Sequence, residues 1–498
     1  MTRVPSIRIR AVDDRPARAD GRFVLYWMTS CRRLGWNFAL ERAVEWAEQL
    51  RRPLAIVEVL GCAGRWRNDR HHAFVLQGMA DNRRRAAAAP VCYRPYVESR
   101  AGESASLFAE LAEQAAVVVT DDPAIAAPEH PDAFVHEAPA RIEAVDSNGL
   151  LPLRAAAGAM ATAVAFRRFL QKTLPDHLTD VPRADAFRGA RLPPAGSTRG
   201  ELARCLPDAE ERLLAADRAA LGRLPIDHSV EPVATPGGEL AARRVLERFV
   251  AERLARYADE RNQPDREATS GLSPYLRHGH LSAFEVFDTV ARREGWSPTR
   301  LSAKRDGRRA GWWGMSASAE AFLDQSVTWR ELGYNFCATR DDFDRYGSLP
   351  SWARKTLADH AGDPRPVVYQ LDELDAAATH DPIWNAAQTQ LRREGIIHNY
   401  LRMLWGKKIL EWTAGPEEAL DVMIELNNRY SIDGCDPNSY SGVFWTLGRY
   451  DRPWGPERPI FGKVRYMSSD NTARKLRLDG YLARFGRESD DRPAVHRM

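Results

Sequence analysis

A strand, a helix and a second strand at close spacing constrain this chain more than any other feature. Phe23-Val24-Leu25-Tyr26-Trp27 is an unbroken apolar run of strand length, and Pro53-Leu-Ala-Ile-Val-Glu-Val-Leu60 is another. Between them, from about Trp36 to Leu50, apolar Phe38, Leu40, Val44 and Leu50 recur as on one side of a helix. Such a unit closes by a right-handed crossover onto a parallel sheet. Ala116-Val-Val-Val-Thr120, ending at Asp121-Asp122-Pro123, reads as a further parallel strand, and Arg141-Ile-Glu-Ala-Val145 as a less apolar one. An α/β domain over 20–175 is predicted. No G-x-G-x-x-G follows the first run, so a dinucleotide loop is not expected there.

At 498 residues the chain exceeds one ordinary core. From 176 to 237 proline, arginine and alanine accumulate, with Pro193-Pro194, which predicts a long linker with short helices. From 238 to 480 helical periodicity takes over, as in Leu240 to Tyr257, Ala319 to Phe336, Trp384 to Trp412 and Pro416 to Arg429. A mostly α-helical second domain is predicted there, with a disordered polar tail over 481–498. Cys31, Cys62, Cys92, Cys205, Cys337 and Cys435 form no C-x-x-C pair and read as free thiols of a reducing compartment. No run reaches membrane-spanning length, and Met1 to Asp20 lacks the apolar core of a signal peptide. A cytoplasmic, monomeric protein with no membrane partner is expected. The net charge of +3 is too small to argue a nucleic-acid partner. Locally the balance differs: Arg449 to Arg477 holds eight basic and three acidic residues, a basic face suited to phosphates.

Fourteen tryptophans stand out. Trp405 and Trp412 are seven residues apart, about two helical turns, hence near one helix face. An isolated pair like this is ordinarily core packing. Their setting says more: Thr379-His-Asp-Pro-Ile-Trp-Asn-Ala-Ala-Gln388, Arg402-Met-Leu-Trp-Gly-Lys-Lys-Ile-Leu-Glu-Trp412, Leu426-Asn-Asn-Arg-Tyr430 and Asp433-Gly-Cys-Asp-Pro-Asn438 follow in order. With Thr269-Ser-Gly-Leu-Ser-Pro-Tyr275, Trp329-Arg-Glu-Leu332 and Phe461-Gly-Lys-Val-Arg-Tyr466, these segments resemble the class II cyclobutane pyrimidine dimer photolyases of the DNA photolyase/cryptochrome family. The resemblance is close from about 240 to 477 and looser from 23 to 175.

The resemblance implies an N-terminal Rossmann-like domain joined by the linker to a helical FAD-binding domain. It implies light-driven splitting of cyclobutane dimers in double-stranded DNA, using non-covalent, reduced FAD. Trp405, Trp384 and Trp412 match an electron relay, innermost to outermost. Tyr257, Arg261, Thr269, Ser270, Leu272, Ser273, Arg402, Asp433, Gly434, Asp436 and Asn438 match positions holding FAD, and Asn427 one facing flavin N5. Taken alone, Thr269 to Ser273 would be a loop with a helix cap, and Arg402 with Asp433 an ordinary ion pair. Glu331 matches a catalytic glutamate whose protonated carboxyl would donate to a lesion carbonyl. Met403 and Trp445 match contacts to the flipped dimer, and Arg452 and Trp454 the segment filling the gap it leaves. Lys463 and Arg465 would meet phosphates.

Three segments depart from the family pattern: Arg277-His-Gly-His280, Thr29-Ser-Cys-Arg-Arg33, and the stretch between Trp445 and Trp454, one residue short. The second leaves open whether a deazaflavin-type antenna binds the first domain. A cryptochrome-like photoreceptor and a (6-4) photolyase are the alternatives on this fold. Glu331, Met403, Trp445 and the basic face favour repair over the photoreceptor, and none of His278, His280 and His398 sits in a recognisable version of the histidine motif that (6-4) repair leans on.

Overall fold

The computed structural model describes residues 3–133, 139–206 and 209–486. Its sheet contains β1 (Ile9–Ala11), β2 (Phe23–Met28), β3 (Leu54–Leu60), β4 (Cys92–Val97), β5 (Ala115–Asp121) and β6 (Arg141–Val145). They lie side by side in the order β1-β6-β5-β2-β3-β4. β2 pairs in parallel with β3 and β5, β3 with β4, and β5 with β6, while β1 joins β6 antiparallel. β2, β3 and β5 are buried at every position, which is why their sequences are continuous apolar runs. The Phe38–Leu50 helix starts where the Asn37 side chain accepts from the Ala39 and Leu40 amides.

Two strands escaped the sequence reading. β1 and β4 are edge strands, and β4 carries Pro95 and is buried only at its first and fourth residues. An edge strand needs one covered face and tolerates proline, so it has no unbroken apolar run.

The chain order reverses beside β2, where a parallel sheet opens a crevice at its carboxyl edge. The loop after β2 is closed by protein. Thr29, Ser30 and Cys31 donate their amides to one Asp121 oxygen at 2.9, 2.7 and 3.0 Å, and Tyr26 Oη donates to the other at 2.7 Å. A carboxylate thus takes the three amides that a phosphate would need.

Short helices occupy Gly196–Cys205, Glu211–Leu214 and Arg218–Leu221. They pack on the sheet domain, Leu202 and Leu206 against its core and Leu214 and Leu221 against Leu76 and Met79. Beyond them the chain is helical, with breaks inside three of the predicted helices. The 240–257 stretch is the Glu239–Arg248 helix followed by a π turn over Phe249–Arg253, and Ala317–Leu323 and Arg330–Thr339 flank another over Asp324–Trp329. The 384–412 stretch is two helices, Pro382–Glu394 and Asn399–Trp412, parted at Gly395. Gly395 has φ +67°, and a Cβ there would meet Ile432 Cγ1 at 2.7 Å.

Residues Asp479–Phe485 form a helix with Tyr481 and Phe485 buried, and Asp265 accepts the Gly480 and Tyr481 amides at 3.0 and 2.7 Å. The disorder predicted past Gly480 is therefore corrected through Phe485, and 487–498 lie outside the described residues. All six cysteines are free, and among the described residues no helix is long and apolar enough to cross a membrane.

Candidate functional site

The Asn399–Trp412 helix is buried along most of its length and carries groups for several tasks. Trp405 and Trp412 are almost wholly buried, and Trp384 enters from the Pro382–Glu394 helix. Trp405 Nε1 donates to Gln388 Oε1 at 2.9 Å, and Trp384 Nε1 donates to the Trp405 carbonyl at 3.0 Å. The Trp384 and Trp412 rings meet edge-on with centroids 5.6 Å apart. Trp384 thus touches both of the others, the middle place of three.

A second group gathers where the Ser273–Arg277 helix meets the 431–438 loop. Arg277 Nε donates to the Gly434 carbonyl at 2.9 Å, and the His278 ring pairs with the Ile432 carbonyl at 2.9 Å. Asp433 is bonded to Ser431 Oγ, and Arg402 reaches it at 3.4 Å. Burial pushes the Asp433 carboxyl up, yet Arg402, Ser273 and Ser431 outweigh it and hold the group below the usual carboxylate range. Asp436 caps the Pro437–Thr446 helix through the Asn438 amide at 2.8 Å and accepts from Tyr334 Oη at 3.0 Å. Its carboxyl is raised by burial against the pull of Arg330 and Arg277. Asn427 donates to Ser439 Oγ at 2.5 Å and Asn428 Oδ1 at 3.1 Å. Further out, Arg261 lies over the buried Tyr257 ring at 5.7 Å, and Arg253 donates to the Thr269 carbonyl at 3.4 Å. Leu272 is buried, with half-buried Ser270 bonded to its amide at 3.4 Å.

Glu331 goes elsewhere. One carboxylate oxygen accepts the Leu150 amide at 2.7 Å and the other the Leu151 amide at 3.0 Å. A Cβ on Gly149 would meet the same carboxylate at 2.7 Å. Asn335, one turn on, accepts the Met160 amide at 3.0 Å. This helix face clasps the segment leaving the sheet. Burial pushes the Glu331 carboxyl up to about 7, opposed by Arg330 and the two amides.

On the other side of the Asn399–Trp412 helix lies an aromatic and cationic cluster. Lys407 Nζ is buried, donates to the Thr446 carbonyl at 2.5 Å and stands 5.2 Å from the Trp445 ring centroid. Burial brings its ammonium down to about 7. The Arg465 guanidinium sits over Trp454 at 4.0 Å and 5.5 Å from Trp445, so it bridges the two rings. Arg465 Nε donates to Asp451 at 2.8 Å, and Trp454 Nε1 to the same carboxylate at 3.2 Å. Arg452 covers Trp454 at 4.5 Å, and Lys463 pairs with Glu457 at 3.2 Å on the surface. Met403 is half-buried on the helix.

Both segments predicted to hold a flavin nucleotide meet, and their donor chemistry fits one. Arg402 keeps its Nε buried with no hydrogen-bond partner, and half-buried His398 has both ring nitrogens covered and out of hydrogen-bond geometry. Burial lowers His398 to about 4, opposed by the Arg261 backbone. Sequence reasoning missed Lys407, whose burial under Trp445 no local pattern announces, and Arg277, which ties the two loops together.

No family model matches the chain. It is 34% identical over 482 residues to the deoxyribodipyrimidine photo-lyase of Methanothermobacter thermautotrophicus, covering 96% of this chain and 97% of that one. It is also 34% identical over 494 residues to the deoxyribodipyrimidine photo-lyase of Oryza sativa subsp. japonica, covering 96% and 90%. Among solved structures, a bacterial class III photolyase from Agrobacterium tumefaciens superimposes with TM-score 0.67 at 16% identity, over 93% of this chain and 86% of the other.

Proposed function

This chain belongs to the deoxyribodipyrimidine photo-lyase family, and on that premise we propose that it is a light-driven DNA repair enzyme of the class II type. Its substrate is a cyclobutane pyrimidine dimer in double-stranded DNA. The observation that carries this reading is the Asn399–Trp412 helix. It carries Trp405 and Trp412, read here as relay residues, Arg402 beside Asp433, and Lys407 against Trp445.

Reduced FAD, bound without a covalent link, would supply photodriven one-electron transfer to the dimer. Arg402 and Asp433 would hold it with a fixed charge pair, and Asn427 would offer its amide to the ring system. Gly434, Asp436 and Asn438 would wrap it from one side, and Tyr257, Arg261, Thr269, Ser270, Leu272 and Ser273 from the other. Small hydroxyls and amides before Pro274 suit diphosphate oxygens.

The dimer leaves the duplex because a distorted step is poorly stacked and cheap to extrude. Trp445 gives it an aromatic face, worth about 1–3 kcal/mol per stacked base. Lys407, 5.2 Å from the ring centroid, and Arg465, 5.5 Å from it, hold that ring in place. Arg452 and Trp454 fill the gap left in the duplex, and Lys463 with Arg465 meets its phosphates. Trp405, Trp384 and Trp412, in contact through Trp384, would relay electrons from the surface side to the cofactor site. Glu331 joins the helical half to the segment leaving the sheet.

Purified protein is expected to show a flavin spectrum that photoreduces under blue light with thiol, and then to restore pyrimidine absorbance in dimer-containing DNA. Photoreduction without restoration would establish a photoreceptor instead.

A further inference from the structure

One strongly charged segment stands outside the site described above. Between Arg292 and Arg309 there are seven basic residues and two acidic ones, and Lys304, Arg305, Arg308 and Arg309 are all exposed. Arg308 pairs with Asp306, whereas Lys304, Arg305 and Arg309 have no carboxylate partner among the described residues.

A surface run of like charge is ordinarily a solvated, loosely held loop. This one is fastened down. Trp312 and Trp313, which follow it, are almost wholly buried, with ring centroids 4.6 Å apart. Trp313 packs on Phe287 at 5.3 Å, and Trp296 Nε1 donates to the Trp313 carbonyl at 2.6 Å. The Ser302 amide donates to the Trp312 carbonyl at 2.8 Å and so closes the base of the loop. Gly307, in its middle, is buried with φ +83°, and a Cβ there would meet the Val164 carbonyl oxygen at 3.0 Å. The Gly307 amide donates to Gln171 Oε1 at 2.8 Å, and Gln171 Nε2 donates to the Arg308 carbonyl at 3.0 Å. Arg168 Nε donates to the Asp306 carbonyl at 3.1 Å. Buried rings and backbone hydrogen bonds thus fix the places where three unpaired cations meet water. Groups held on a fixed backbone lose less freedom when a partner binds them.

The place of the loop in the fold identifies that partner. It is tied to the Ala163–Thr173 helix, whose first turn is capped by Thr162. Thr162 forms a short parallel bridge with Tyr450, and Asp451 and Arg452 come next, where the segment read above as filling the gap in the duplex begins. The same helix reaches the π turn of the helical half through Arg167, which meets Asp324 at 2.9 Å. From Thr162 to Gln171 the helix advances about 14 Å, at ~1.5 Å per residue. A duplex rises ~3.4 Å per base pair, so that span is about four base pairs.

We propose that Lys304, Arg305 and Arg309 form a second phosphate-binding surface, which grips the DNA duplex about four base pairs to one side of the lesion. It extends the basic face of residues 449–477 around the flank of the molecule. This rests on the reading of the chain as a dimer-repair enzyme. The contacts go to backbone phosphates, so they position the duplex without reading its sequence.

Gel-shift titration of the flavin-loaded protein at several salt concentrations tests this. The triple replacement Lys304→Gln, Arg305→Gln and Arg309→Gln leaves every buried anchor in place. On a duplex of about 30 base pairs with a central dimer it should weaken binding about 10-fold and lower the slope of log K against log salt by about 2–3, at about 0.9 per lost phosphate contact. On duplexes cut to about two base pairs on one side of the dimer, variant and wild type should bind alike for one side and still differ for the other. Uncharged methylphosphonate linkages about four base pairs from the dimer on that side should weaken wild type and leave the variant unchanged. Equal affinity and equal slope on the long duplex would overturn the proposal. So would loss of binding to phosphatidylserine vesicles with DNA binding intact, which would assign the loop to an anionic lipid surface. A wild type that neither prefers nor repairs dimer-containing DNA would overturn the repair reading instead, and a slope still lowered by the triple replacement would then keep the loop as a duplex contact.

Discussion

Replacing Glu331 separates a joint between the two halves of the molecule from a group acting on the lesion. Its oxygens accept the Leu150 and Leu151 amides. Glu331→Ala strands two buried N–H groups at about 1–3 kcal/mol each, with a cavity cost added. Glu331→Gln keeps one acceptor and turns an NH2 toward the other amide, so a loss of about 1–3 kcal/mol is expected. The wild-type carboxyl is raised from 4.5 to about 7. A raised folded pKa means that the folded state binds the proton more tightly than the unfolded one, so this stabilisation is complete below about pH 4.5 and lost as pH rises through about 7. At about 1.36 kcal/mol per unit, wild type should lose about 3 kcal/mol relative to Glu331→Gln across that window. Urea unfolding followed by tryptophan fluorescence at pH 4.5, 6 and 8 measures the difference. Unchanged unfolding of Glu331→Gln at every pH, together with a collapse of repair yield at full flavin content, would refute the joint and return Glu331 to the lesion.

Trp405→Phe is expected to abolish photoreduction of the bound flavin, while enzyme reduced with dithionite still splits dimers; equal loss of both would count against the relay. Asp433→Asn removes the partner of a guanidinium whose Nε is already unpaired, and purified protein should then carry several-fold less flavin by absorbance. Trp445→Ala should weaken binding of dimer-containing DNA by about 10- to 100-fold, the worth of about 1–3 kcal/mol of stacking, with undamaged duplex little affected in the same gel-shift titration. Lys463→Gln should lower affinity for damaged and undamaged DNA alike and reduce the slope of log K against log salt by about 1.

Much of the central sheet was legible because β2, β3 and β5 are covered on both faces and must be apolar throughout. β1 and β4 were not, since an edge strand answers to one neighbour and one covered face. Helix existence was legible and helix ends less so. The break at Gly395 is set by how closely Ile432 approaches, and Ile432 is remote in sequence. At the site, motif order identified Arg402, Asp433 and the three tryptophans, and the fold adds the contacts of Trp384 with both its partners.

Sequence by itself determined the parallel α/β start, the helical second half, the family and the chemistry of its side chains, because periodicity and motif spacing are local properties of a chain. Tertiary structure alone decided where those side chains point. Glu331 turns to the Leu150 and Leu151 amides, Lys407 lies under Trp445, and Tyr369 covers Trp412. Each of these contacts joins residues far apart along the chain or on separate elements, and only the packing of one element on another sets such a distance.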